Sequence, residues 1–173
     1  MSAGGKAPKW QASARWIPEK PDSGELYASF SYFLHERVAV GFDYRPLVDK
    51  VALNANVRAL VETKDRPGIV LGTATDEFGD VASRHYYGTV SKYMGEWNSI
   101  GFSPYAGAAF IEELDELRGI GGLHMRYEDW SAMWQYTGVD LHFTTSYQVA
   151  PGHVVSFIAF DMDKLGLAYF VRM

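Results

Sequence analysis

The sequence predicts an all-β fold, a closed antiparallel up-and-down transmembrane β-barrel of about twelve strands, with ten as the alternative count. Three observations carry that expectation. Large apolar side chains alternate with small or charged ones along almost the whole chain, which is the pattern of strands with two unlike faces. Aromatics are abundant, with 11 Tyr, 10 Phe and 5 Trp among 173 residues, and membrane barrels set such residues in girdles at both water–lipid boundaries. No run of about 18 apolar residues occurs, so a membrane span here would have to be a closed barrel, in which every backbone group is paired.

Alternation places strands at 9–17, 24–34, 37–45, 50–62, 68–76, 84–94, 99–111, 117–127, 130–137, 139–149, 153–161 and 164–172. Residues 1–8 read as a flexible N-terminal segment and 9–173 as one barrel domain. The spacing amounts to about fourteen residues per strand and turn, which fits membrane strands of 9–11 residues joined by short loops. Trp10 and Trp16 mark the ends of the first strand, Trp97 the turn after the sixth, and Tyr127 and Trp130 flank the Glu128-Asp129 turn. An even count puts both chain ends on one side of the membrane. Two stretches are ambiguous. Residues 47–61 also fit a helical period, but Asn54 and Asn56 lower helix propensity and the strand alternation runs through them. The acidic run 112–116 fits a helical turn or an external loop, and the loop is preferred because it joins two Gly-rich strands.

The content of the two faces separates lipid from lumen. Val38, Val40, Phe42 and Tyr44 share one face of the third strand, Leu123 and Met125 one face of the eighth, and Leu165, Leu167, Tyr169 and Val171 one face of the last. These are the lipid-facing candidates. The opposite faces mix tiny residues with isolated charges, as a narrow lumen would. The lumen-lining candidates are Asp43, Arg45, Asn54, Asn56, Arg58, Glu62, Lys92, Arg118, His124 and Arg126. They would either line a charge-selective pore or pair with one another and plug it.

Composition excludes several classes. With 47% hydrophobic and 21% charged residues the chain is no disordered segment. Cysteine is absent, which removes disulfides, thiolate metal sites and thiol nucleophiles. A net charge of −5 argues against a nucleic-acid surface, which needs a basic stripe. The first eight residues lack the apolar core of a signal peptide, so the chain is read as a mature one whose signal segment has been removed. His35, His85, His124, His142 and His153 are scattered singly, giving no metal-ligand spacing, and no cofactor is expected.

The final segment resembles the terminal assembly signal of outer-membrane barrels: Lys164, Gly166, Tyr169, Val171 and Met173 fill its polar, glycine, aromatic, apolar and closing positions, with Met where Phe is usual. Residues Pro67-Gly68-Ile69-Val70-Leu71-Gly72-Thr73-Ala74-Thr75-Asp76, followed by Tyr86-Tyr87 and Ser91-Lys92, resemble the YjbH-type outer-membrane barrel proteins, and the stretch from Gly138 through Tyr147 to Tyr169 is similar to their final strands. Together these cues cover about half of the chain. The resemblance implies a bacterial outer-membrane location, lipid and the barrel-assembly machinery as partners, other envelope proteins as further partners, and a link to exopolysaccharide or envelope assembly. It brings no catalytic residues.

The leading functional expectation is thus a small, non-enzymatic outer-membrane barrel with a structural, porin-like or envelope-assembly role. A soluble lipocalin-like barrel is the alternative, with the bulky row turned inward around an apolar ligand. A third option is a lipid-modifying barrel enzyme. His142 and Ser146 lie on one face of the tenth strand, roughly 13 Å apart along it, so a Ser–His pair would need a cross-strand partner.

Overall fold

The computed structural model describes residues 9–18, 25–75 and 84–173. The N-terminal segment 1–8 and most of the predicted loops at 18–23 and 77–83 lie outside the described residues. Among the described residues thirteen strands follow one another: β1 (Trp10–Trp16), β2 (Leu26–His35), β3 (Val38–Arg45), β4 (Lys50–Leu60), β5 (Gly68–Ala74), β6 (His85–Ser91), β7 (Gly95–Trp97), β8 (Ile100–Ile111), β9 (Glu116–Tyr127), β10 (Trp130–Tyr136), β11 (Leu141–Ala150), β12 (His153–Phe160) and β13 (Lys164–Arg172). Successive strands pair antiparallel except that β6 pairs with β8 and not with β7, and β1 pairs with β13 from Gln11↔Arg172 to Trp16↔Leu167. The result is a closed antiparallel barrel of twelve strands with β7 as one extra strand. β7 only extends the β6–β8 hairpin beyond the ring, turning through Asn98 and Ser99 at φ 50° and 64°.

Besides shifts of one or two residues at other strand ends, the structure differs from the sequence pattern in three places. The sixth strand does not run to 94: β6 stops at Ser91, and the chain resumes pairing as β7. The fourth strand does not run to 62, because its register with β5 shifts between Arg58 and Leu60, a bulge that ends the ladder and carries Glu62 into the following turn. The acidic run forms a single 3-10 turn, Glu112–Leu114, closed by Asp115 in the left-handed region at φ 49°, and Glu116 already begins β9. Pro46–Val48 and Asp49 make the same turn before β4, so the helical alternative for 47–61 reduces to three residues.

Turns alternate between the two ends of the ring. The terminal end carries both chain ends and the β2–β3, β4–β5, β6–β8, β9–β10 and β11–β12 turns; the distal end carries the rest. The bulky row points outward. Val40, Phe42, Leu53, Val90, Phe157 and Leu167 are all exposed on the outer face. Trp10, Tyr32, Tyr127, Trp130 and Tyr147 ring the terminal end of that face, with Trp130 and Tyr147 ring centroids 4.8 Å apart. Trp16, Tyr44, Tyr86 and Tyr136 ring the distal end.

Inside, buried polar side chains, Ser31, Asp43, Arg45, Asn54, Thr75, His85, Thr137 and His142, stand beside buried apolar ones, among them Ile17, Ile111, Ile158 and Phe160. Two inner-face glycines make room for them. Gly41 sits in register between Ser31 of β2 and Asn54 of β4, whose side chains approach to 3.4 Å across it. Gly72 sits likewise between Asn56 and Tyr87, and the Tyr87 hydroxyl donates to Asn56 Oδ1 over its bare Cα. A Cβ on Gly41 would collide with the Phe30 carbonyl oxygen, a clash with backbone that no rotamer relieves. Gly41→Ala is therefore expected to lower stability by about 1–3 kcal/mol, read from denaturant midpoints of the refolded protein.

Candidate functional site: a lumen closed at one end

The distal end of the lumen is filled. Asp43 is 2% exposed; its Oδ1 accepts from Asn54 Nδ2 at 2.6 Å and its Oδ2 from the Thr75 hydroxyl at 3.2 Å. The Arg45 guanidinium donates to the Thr75 carbonyl, so β3, β4 and the residue after β5 are tied together. Across the lumen, Ile17 packs with Ile158 and Phe160, while Ala109 and Ile111 pack with Tyr87 and Ile120. The His142 ring stacks on Phe160 with centroids 4.2 Å apart, and its Nδ1 accepts the Asp161 backbone N–H at 2.9 Å. Beside Asp43 and Arg45 only about 10 Å³ remains, space for a single water.

The terminal half is open. One cavity of about 490 Å³ is lined by His124, Arg126, Ser131, Ser146, Gln148 and Arg172, among others. His124 also faces a deeper cavity of about 430 Å³, whose wall mixes the hydroxyl and amide groups of Thr89, Ser91, Ser103 and Gln135 with Ile120, Met133 and the rings of Tyr87 and Tyr105. Arg172 also faces a third, of about 260 Å³, with Arg58, Asn56 and Gln11. His124 belongs to the walls of the first two cavities and Arg172 to those of the first and third, and the three together are called the basin; among the described residues the distal packing lies below them.

The sequence-derived lumen candidates divide accordingly. Asp43, Arg45 and Asn54 lie in the distal network, and Arg118 lies near it, bonded to Glu116 at 2.8 Å. Asn56, Arg58, His124 and Arg126 line the basin. Glu62 and Lys92 do not line it. The bulge in β4 and the early end of β6 carry both to the rim, where they lie 3.8 Å apart and Lys92 Nζ donates to the Thr63 and Lys64 carbonyls. Among the lipid-facing candidates, Val40, Phe42, Leu165, Leu167 and Tyr169 are exposed. Val38, Tyr44, Leu123, Met125 and Val171 are half-buried on the same outer face, where Leu123 pairs with Trp134 and Met125 with Ala132.

In the terminal segment, Lys164 lies 3.1 Å from Asp163 and 3.8 Å from Asp161. Gly166 is buried, and a Cβ there would collide with Ile17 Cγ1, so local packing alone requires glycine. The Tyr169 hydroxyl meets His153 Nδ1 at 2.5 Å on the outer face. Val171 pairs with Ala12 and His153, and the Met173 carbonyl accepts the N–H groups of Lys9 and Trp10.

His142 and Ser146 are not brought together: Ser146 Oγ lies 2.8 Å from Ser156 Oγ in the basin wall, while His142 belongs to the distal packing. Among the described residues no three His or carboxylate groups converge in a metal-binding cluster. Arg172, Gln11, Gln148 and Phe170 line the basin although the sequence pattern did not single them out. Parity would have found Arg172 and Phe170, which alternate with Tyr169 and Val171.

Compared with protein-family models, curated proteins and solved structures, the chain matches none.

Proposed function

We propose that the chain spans a bacterial outer membrane as a non-enzymatic barrel, closed by packed side chains at its distal end and open as a basin at the end bearing its termini, with a structural or envelope-assembly role. The observation that supports this most is the division of faces. Bulky apolar side chains cover the outer wall from one aromatic ring to the other, while the carboxylate, guanidinium and amide groups that are buried lie in the interior, with apolar side chains beside them at the distal end, an arrangement suited to lipid outside. The lipocalin-like alternative would place an apolar ligand in the deeper cavity, where Ile120, Met133 and the Tyr87 and Tyr105 rings form part of the wall, whereas the first cavity meets a ligand with Arg126, Arg172, Glu128, Asp129 and Gln148. The distal packing speaks for a plugged lumen over a porin-like channel. Outer-membrane lipid and the barrel-assembly machinery are the partners this reading requires. It expects the refolded chain to stay monodisperse only in detergent and to migrate faster on a gel before boiling than after. A chain that remains monodisperse in detergent-free buffer overturns it.

A further inference from the structure

We propose that the basin is a binding site for a small oxyanion, a carboxylate or phosphate group of a solute entering from the terminal end. Arg58 of β4, Arg126 of β9 and Arg172 of β13 reach it from three parts of the wall, and His124 lies beside Arg126. Among the described residues the side chains of Arg58 and Arg126 have neither a hydrogen bond nor an ion pair. Arg172 is held in place without being neutralised: its Nη2 lies 3.4 Å from Gln11 Oε1, and its guanidinium carbon sits 5.3 Å from the Phe170 ring centroid.

Carboxylates do share the walls. Glu128 and Asp129 stand at the β9–β10 turn, and Glu36 lies 3.9 Å from Arg37, but none forms an ion pair with the three arginines. Arg58 and Arg172 instead repel one another. Like charges facing one chamber are stabilised by an anion between them, and guanidinium forks match the two oxygens of a carboxylate or phosphate. The distal network shows the opposite arrangement, with its carboxylate held by Asn54 and Thr75, one on each oxygen. Because the basin has a floor, an anion bound there is held rather than passed through. The site does not rest on the membrane reading, since a barrel in water would present the same wall.

The test is calorimetric titration of the full chain, folded in a nonionic detergent at low salt, with citrate and with inorganic phosphate. At least one is expected to bind with a dissociation constant of about 1 mM or tighter, and the Arg126→Gln/Arg172→Gln double variant to bind it at least about tenfold more weakly. Lys64→Gln, on the β4–β5 turn outside the basin, is expected to bind as the parent does. The tighter of the two anions assigns the group as carboxylate or phosphate. Heat-modifiable migration checks that each variant is folded, and Arg58→Gln replaces the double variant if that one fails to fold. Absence of binding by either anion up to roughly 10 mM, or equal binding in the folded arginine variants, overturns the proposal.

Discussion

Phe157→Arg is expected to lower folding stability in lipid vesicles by about 2–4 kcal/mol, the cost of an arginine near the midplane of a membrane barrel. Phe157 stands midway along β12, exposed on the outer face between Thr145 of β11 and Leu167 of β13. On the membrane reading an arginine there lies in hydrocarbon or bends the bilayer to reach water. Urea titrations of parent and variant in the same vesicles give the difference. The soluble reading expects another value: a solvated exposed position changes stability by within about 0.5 kcal/mol on substitution. Asp65→Arg, on the exposed β4–β5 turn, serves as the charge control and is expected to fall in that small range.

Asp43→Ala is expected to cost about 2–4 kcal/mol by a different route. Its carboxylate accepts from Asn54 and from Thr75, and removing it leaves both donors buried without that acceptor, at about 1–3 kcal/mol each. The vacated volume lies where the distal packing is tightest, so the same variant is expected to conduct ions across planar bilayers more readily than the parent. Asp43→Asn keeps the volume and one acceptor oxygen, and is expected to lose less on both measurements. Equal stability of Asp43→Ala and the parent would show that the network does not hold the distal end together.

The strand ladder was legible because period-two alternation survives wherever a strand has two unlike faces, as along Val38–Arg45 and Lys164–Arg172. What alternation misses is anything that changes register. The bulge between Arg58 and Leu60 flips the parity of the residues after it, so alternation assigns Glu62 to the lumen while the side chain lies at the rim beside Lys92. β7 escapes for a related reason: three residues are too few to show a period. The closed floor was hidden more deeply. It joins Asp43 to Thr75, 32 positions apart, and sets apolar Ile17 and Ile111 on inner faces that the sequence pattern reserves for polar or tiny residues. Which inward groups face each other depends on ladder offsets, and a single strand pattern does not contain them. The open basin was half legible, since His124 and Arg126 follow from parity, but that Arg172 shares one cavity with them and another with Arg58 follows only from ring closure.

That closure is made by the first strand meeting the last, through partners as far apart as Gln11 and Arg172, 161 positions along the chain. Until that seam zips, the growing sheet has two raw borders, each a row of unsatisfied amides and carbonyls able to template sticking to other chains. Contacts of such sequence separation form slowly, so the hazardous interval is long. Deleting the last nine residues would make the interval permanent and leave a curled sheet prone to clumping, which gives a cell good reason to escort this molecule until its two margins lock.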